Sequence, residues 1–282
     1  MSDVSAHRAA FRKLHESGCF VIPNPWDIGT ARYLRHLGFK ALATTSSGFA
    51  FSRGLPDADW AVPRDPMLAH IADLVAAAEV PVNADFESGY AHEPELVAAN
   101  VRLCIETGVA GLSIEDATGD PTNPLYERSH SIERIKAARR AIDESGADVL
   151  LTARAECYLV GHREPLRESI RRLQAYADAG ADVLYAPGLR DRDEIEAVVA
   201  AAPSKPVNVL MSSNTGLTVS DLANMGVRRV SVGSSLARAA WSGFIHAAKT
   251  IADTGSFAGF DGLVPYADLN DFFRADRKNR RD

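Results

Sequence analysis

One phrase recurs along this chain and limits what the chain can fold into. It reads ETGVAGLSIED from Glu106, ESGADVLLTAR from Glu144, DAGADVLYAPG from Asp178 and NMGVRRVSVGS from Asn224. Each time a helical stretch closes on glycine, a short connection follows, and an apolar or β-branched run begins. Glycine ends helices because it enters the left-handed conformation without a Cβ clash. Gly38, Gly108, Gly146, Gly180 and Gly226 all stand at such stops. Eight runs read as strands: Cys19–Pro23, Ala41–Ser46, Pro81–Asp85, Gly111–Glu115, Asp148–Arg154, Asp182–Ala186, Pro206–Met211 and Arg229–Gly233. They start about 30 residues apart, the length of one β-α-β step.

Strands alternating with helices imply a parallel sheet, and eight units favour closure into a barrel. A doubly wound open sheet is the alternative, but the GxGxxG turn that would favour it after the first strand is missing. The expected architecture is therefore α/β, a (β/α)8 TIM barrel forming a single domain over residues 1–282. The barrel would occupy about 19–250. The segment before Cys19 reads as an extra helix plugging the barrel bottom. The tail, about 251–282, reads as irregular and carries Phe257, Phe260, Leu263, Val264, Phe272 and Phe273. So many apolar side chains need a surface to cover, expected on a neighbouring subunit.

Charge and cysteine usage narrow the function. Lys and Arg number 31 and Asp and Glu 37, a net charge of −6, which argues against a nucleic-acid partner or a polybasic membrane anchor. No apolar run reaches the ~18 residues of a membrane span, and the N-terminus has no apolar signal core. Cys19, Cys104 and Cys157 form no CxxC pair. The expectation is a protein of the reducing cytoplasm.

In such a barrel the active site lies at the carboxyl ends of the strands. Asp57 follows the second strand, Asp85 and Glu87 end the third, Glu115 ends the fourth. Several carboxylates in one poorly hydrated pocket repel, so they hold protons or gather round a cation. Oxygen ligands without Cys or His point to Mg2+ or Mn2+. The bland alternative is that each acid caps the helix behind it. Arg154, at the end of the fifth strand, can grip a carboxylate or phosphonate at two points, or else pair with Glu156 or Glu115. Asn208 could donate to a substrate carboxylate, and the Gly233-Ser234-Ser235 amides could hold an anion. Schiff-base chemistry lacks its amine, because no lysine ends a strand. HExxH and GxSxG are absent.

Taken in order, Ser47-Gly48, Gly54-Leu-Pro-Asp57, Asn83-Ala-Asp-Phe-Glu-Ser-Gly-Tyr90, Ser113-Ile-Glu-Asp116 and Thr152-Ala-Arg154 resemble the isocitrate lyase/phosphoenolpyruvate mutase superfamily. The resemblance runs from about Phe11 to about Gly243. It implies a barrel enzyme, a lyase or a phosphonomutase-type isomerase, whose Mg2+ orients a 2-oxo acid or its enolate. Asp57, Asp85, Glu87 and Glu115 would hold the metal directly or through water. Ser46, Ser47, Gly48 and Arg154 would bind substrate. The superfamily also implies a homotetramer, or a dimer of helix-swapped dimers. The lyase branch carries a Lys-Lys-Cys-Gly-His loop after the fourth strand, whereas this chain has Ala117–Tyr126 with neither Cys nor His. Thr122-Asn123 resembles the gating loop of the phosphonomutase branch, so Asn123 would touch the group that moves. Ala186 and Pro187 replace that branch's phosphonate-binding His and Ser. The resemblance thus implies C–C or P–C bond chemistry beside a 2-oxo carboxylate, phosphonomutase-like by its loop. An oxaloacetate-type decarboxylase, a cysteine-free 2-alkylmalate lyase, and a non-catalytic 2-oxo acid binding protein are the alternatives.

Overall fold

The computed structural model describes residues 4–58 and 60–280. The chain falls into two compact units, one through Ser235 and one from Leu236. The first is an eight-stranded parallel sheet in the order β1-β8-β7-β6-β5-β4-β3-β2. Its strands are β1 (Phe20–Ile22), β2 (Leu42–Ala43), β3 (Val82–Asp85), β4 (Gly111–Glu115), β5 (Leu150–Arg154), β6 (Val183–Tyr185), β7 (Val207–Leu210) and β8 (Arg229–Ser231). The Ala43 amide donates to the Pro23 carbonyl at 3.1 Å, which joins the two end strands and closes the ring. The result is a (β/α)8 barrel.

Helices α1 (Val4–Glu16), α2 (Ile28–His36), α3 (Ser46–Ser52), α4 (Arg64–Ala78), α5 (Pro94–Glu106), α6 (Arg128–Ser145), α7 (Pro165–Asp178), α8 (Arg192–Ala201) and α9 (Val219–Asn224) belong to the same unit. The second strand is shorter than its apolar run, for a local reason. The Thr45 hydroxyl accepts the Gly48 amide and so caps α3, turning Ser46 into a helical residue. Buried apolar side chains from β3, β4, β5, β6 and β7, such as Ala84, Leu112, Ile114, Leu151, Leu184 and Val209, join the helices in one core.

Helix α1 does plug the amino-terminal end of the barrel. Phe11 is fully buried among Ile22, Ala41, Ala43, Ala110 and Leu150. Its ring meets His15 edge-on at 4.7 Å. Arg8 donates to the Val109 and Ile105 carbonyls at 3.0 and 3.1 Å, and Arg12 to Asp148 at 2.6 Å. Gly111 makes room for the plug: a Cβ there would lie 2.7 Å from both the Phe11 ring and the Asn83 side-chain oxygen.

The second unit is more regular than its sequence reads. It holds α10 (Ser235–Thr254) from its second residue on, a 3-10 turn at Ala258–Phe260 and α11 (Tyr266–Asn279). The last helix follows Pro265, opens with Asp268 and ends with Arg277 and Lys278, which complement its dipole. Leu269, Phe272 and Phe273 recur at helical spacing, a pattern that makes a helical stripe rather than an irregular tail. Trp241, Phe244, Phe257, Leu263, Val264 and Tyr266 are exposed in this unit. No helix among the described residues is long and apolar enough to cross a membrane.

Phe11→Ala should destabilise the protein by about 3–5 kcal/mol, the cost of losing a fully buried aromatic ring. Chemical denaturation should show the midpoint falling with an unchanged slope. A loss below about 1 kcal/mol would mean the plug is not part of the core.

Candidate active site

Three neighbouring strands carry the chemistry, because side chains alternate along each strand and the last residue of each faces the ring's interior. Asp85, Glu115 and Arg154 are those last residues: Glu115 pairs with Arg154, and Asp85 pairs with Ser113, two residues before Glu115 on the same face. Next to Glu115, Asp116 turns the other way. It accepts from Arg172, Tyr176 and the Glu156 amide at 2.9, 2.5 and 2.8 Å, tying α7 to the barrel.

Arg154 is the hub. Its three nitrogens reach Asp85 at 2.6 Å, Glu115 at 3.0 Å and Glu156 at 2.9 Å. Only 13% of its side chain is exposed, and the Tyr185 ring lies 5.2 Å from its guanidinium carbon. Arg154 therefore touches Asp85 across β4 rather than facing the acids from the opposite wall. Burial alone would lower its pKa, but Glu156, Glu115 and Asp85 together raise it. The second Asp85 oxygen accepts from the Ser46 amide and hydroxyl at 3.1 and 3.0 Å. The Asp85 amide donates to Thr44 at 2.8 Å.

Glu87 sits at φ +47° and Tyr90 at +54°, left-handed conformations that are uncommon for residues with a Cβ. The turn they form is pinned by the Tyr90 hydroxyl donating to Glu87 at 2.6 Å and by the Glu115 amide donating to the Glu87 carbonyl at 3.0 Å. Asp57 lies in an exposed turn with its carboxyl on the cavity. Ser46, Asp57, Glu87, Glu115, Arg154 and Glu156 share one cavity of about 820 Å3, whose outer wall includes Trp60, Ser88, His92, Leu159 and the loop residues Ala117–Pro121.

The acids repel one another here. Burial raises the pKa of Glu87 to about 7, with help from Asp85 and Asp57, against the hydrogen bond from Tyr90. Burial likewise raises Glu156 to about 7. Glu115 is raised chiefly by burial. Asp57 is raised by burial and then by Asp85. Asp85 figures among the groups that push up every one of these four.

These donors suit a hard divalent cation. All are oxygens, and a single guanidinium faces five carboxylates. Among the described residues no three acids are gathered as a ready-made ligand cage. Mg2+ needs none, since it keeps several waters and binds through one or two carboxylates. Asp57, Glu87 and Glu115 line the cavity and would meet the ion or its water shell; Asp85, which all of these feel but whose oxygens are bonded to Arg154 and Ser46, would hold it by exchanging one of those bonds.

Other residues singled out in the sequence stand elsewhere. Ser47 bonds to Thr45 at 3.2 Å and Gly48 lies in the first turn of α3, both behind Ser46. Asn208 is buried away from the cavity: it donates to Ser231 and accepts from Arg229, each at 2.9 Å. The Val232 and Gly233 amides are taken by Asn24. Asn123 is exposed and Thr122 donates to Asp120, so neither lines the cavity. Conversely, Glu156, Trp60 and His92 do line it. Glu156 could have been read from its position two residues after Arg154. Trp60 and His92 carry no such local signal.

Comparison with known proteins gives a consistent outcome. A family model described as phosphoenolpyruvate phosphomutase matches residues 11–252. The chain is similar to a Burkholderia cenocepacia J2315 protein provisionally classed as a lyase/mutase. The two are 52% identical, with 96% of each chain covered and a TM-score of 0.90. It is 25% identical to the chloroplastic carboxyvinyl-carboxyphosphonate phosphorylmutase of Arabidopsis thaliana, over 95% of this chain and 83% of that protein. It is 26% identical to an oxaloacetate acetylhydrolase solved with its product oxalate. There the TM-score is 0.84, and 100% of this chain and 99% of the other are covered.

Glu87 and Glu156 keep their protons up to about pH 7, whereas an unfolded Glu releases its proton near 4.5. The folded state thus binds more protons in that window, and stability falls as pH rises through it. In chelator, denaturation of the wild type should show stability dropping between about pH 5 and 8, and Glu87→Gln should shrink the drop. An identical drop in the variant would mean Glu87 ionises as it does in the unfolded chain.

Proposed function

Because the chain belongs to the isocitrate lyase/phosphoenolpyruvate mutase superfamily of enzymes acting on small 2-oxo acids, we propose that it is a Mg2+-dependent enzyme. In this reading it makes or breaks the bond adjoining a 2-oxo carboxylate through an enolpyruvate-type intermediate. The observation that carries the proposal is Arg154 on the floor of a cavity ringed by five carboxylates. When bound, a divalent cation (Mg2+, or Mn2+ in its place) stabilises negative charge developing on the 2-oxo oxygen, an effect worth several kcal/mol. Arg154 would bind the substrate carboxylate with its fork of donors. The Ser46 amide and hydroxyl fix Asp85 and keep the site's hub in place. The segment from Ala117 to Pro121 forms part of the cavity wall; packed over bound substrate it would limit water and strengthen every charge interaction inside.

The outer wall favours a C–C bond over a P–C bond. It includes Trp60, Leu159 and the Ala117–Pro121 loop, and among the described residues Arg154 is the only Lys or Arg on the cavity. A transferring phosphoryl group would call for further guanidinium or ammonium donors. This supports an oxaloacetate-type decarboxylase or a cysteine-free 2-alkylmalate lyase. The phosphonomutase-like reading rests on Thr122-Asn123, and it would need Asn123 to turn inward. The exposed apolar side chains of the C-terminal unit support assembly with further copies of the chain, with a tetramer as the proposed state.

Assays with Mg2+ on oxaloacetate, 2-alkylmalates and phosphonopyruvate should give turnover of a C–C substrate. Asp85→Asn should lower that rate about 1,000-fold, the scale of several kcal/mol of lost charge stabilisation. Turnover of phosphonopyruvate alone would reverse the choice of bond. Binding without any turnover would support the non-catalytic reading, and a fully active Asp85→Asn variant would remove the metal-holding role. Light scattering in solution should give the mass of four chains; a monomer would contradict the assembly.

A further inference from the structure

The outer wall of the cavity holds two polar contacts that the proposed mechanism leaves unused. The Trp60 indole donates from Nε1 to the Ser88 hydroxyl at 3.0 Å. The Tyr126 hydroxyl lies 2.5 Å from Nδ1 of His92. The direction of this second contact follows from chemistry. A phenol O–H is the better donor and a neutral imidazole nitrogen the better acceptor of the two. The Tyr126 proton is then directed at His92, and Nδ1 is the acceptor. The imidazole is thereby fixed as the tautomer with its proton on Nε2. That Nε2 makes no hydrogen bond among the described residues, and His92 lines the cavity.

The ring is held by more than this contact. It packs on Trp60 with centroids 5.0 Å apart. The His92 carbonyl accepts from Arg134 at 2.6 Å and from His130 at 3.0 Å. Tyr126 is buried under the Arg134 guanidinium, 4.1 Å from the ring centre. Its amide donates to the Asp116 carbonyl at 3.0 Å, which anchors the end of the 117–126 loop. His92 is exposed where it lines the cavity, so its ring is held in one orientation while Nε2 stays open to a ligand atom.

We propose that His92 is a specificity-determining residue whose Nε2–H donates to the distal oxygen of a two-ended 2-oxo acid, one carboxylate of which is held at Arg154. This rests on the 2-oxo acid reading of the site. It deepens that reading by naming the substrate class: dicarboxylates, rather than monocarboxylates such as pyruvate. Tyr126 acts through His92 as a positioning residue, since its hydroxyl sets which ring nitrogen carries the proton.

Two probes separate the ends of the cavity. Oxalate is short enough to occupy only the Arg154 end, whereas 3,3-difluorooxaloacetate adds a distal carboxylate. Binding of each is measured by calorimetry with Mg2+ present, on wild type, His92→Phe, His92→Gln and Tyr126→Phe. His92→Phe keeps a flat ring against Trp60 but has no donor. It should weaken difluorooxaloacetate at least about 10-fold, the scale of a hydrogen bond to a charged group, and leave oxalate within about 2-fold. His92→Gln restores an N–H near the Nε2 position and should recover most of the loss. Tyr126→Phe should weaken difluorooxaloacetate in the same direction but less. Equal weakening of both ligands by His92→Phe would reveal a distorted cavity and overturn the proposal, as would no effect on either. Wild type that binds neither ligand would instead refute the 2-oxo acid reading, and with it the role of His92.

Discussion

Everything at the open end of this barrel depends on one guanidinium shared by three carboxylates. Arg154 reaches Asp85, Glu115 and Glu156, and among the described residues it is the only arginine or lysine on the cavity. Burying the group is costly, and the acids around it compensate. They also outnumber it. With Asp57 and Glu87 added, the cluster carries more potential negative charge than one arginine can balance, so Glu87 and Glu156 hold protons near neutrality. A site poised in this way accepts a divalent cation readily, because the cation replaces protons on groups that already repel one another.

The rest of the fold keeps that cluster in register. Parallel pairing of β3, β4 and β5 sets Glu115 level with Arg154 and Asp85 two residues below them, level with Ser113. Outside the ring, Asp116 locks α7 through Arg172 and Tyr176. At the opposite end Phe11 seals the barrel, and Gly111 is needed where the plug meets β4. Asn208, Arg229 and Thr152 form a separate polar layer inside the barrel, with Arg229 lowered to about 10 by burial. Asn208 is thus committed to the barrel's interior rather than to a ligand.

Much of this was legible in the chain itself. Glycine-closed helices at regular spacing announce the barrel, and the third, fourth and fifth strands end at the residues their apolar runs indicate. The acids and Arg154 follow, because strand ends are where such a barrel does chemistry. Legibility fails where a local competitor or a distant partner decides. Thr45 ends β2 early by capping a helix, and apolar spacing alone does not reveal a cap. The helix after Pro265 was obscured by exposed aromatic residues that read as an irregular tail. The Trp60–Ser88 and His92–Tyr126 contacts join residues 28 and 34 positions apart, and no short motif encodes them. Asn123 matches a loop pattern in type and spacing, yet the internal bonds of its loop, Thr118 to the Asn123 carbonyl and Thr122 to Asp120, leave it facing outward.

The central claim is that surplus buried carboxylates at Arg154 await a divalent cation. Calorimetric titration of Mg2+ into the protein at several pH values, in buffers of different ionisation enthalpy, counts the protons exchanged on binding. Near pH 6.5 the account predicts that Mg2+ binds and displaces protons, with the release fading above about pH 8.5 as the carboxyls ionise unaided. Mg2+ binding with no proton release near pH 6.5, or no binding at any pH, would contradict it.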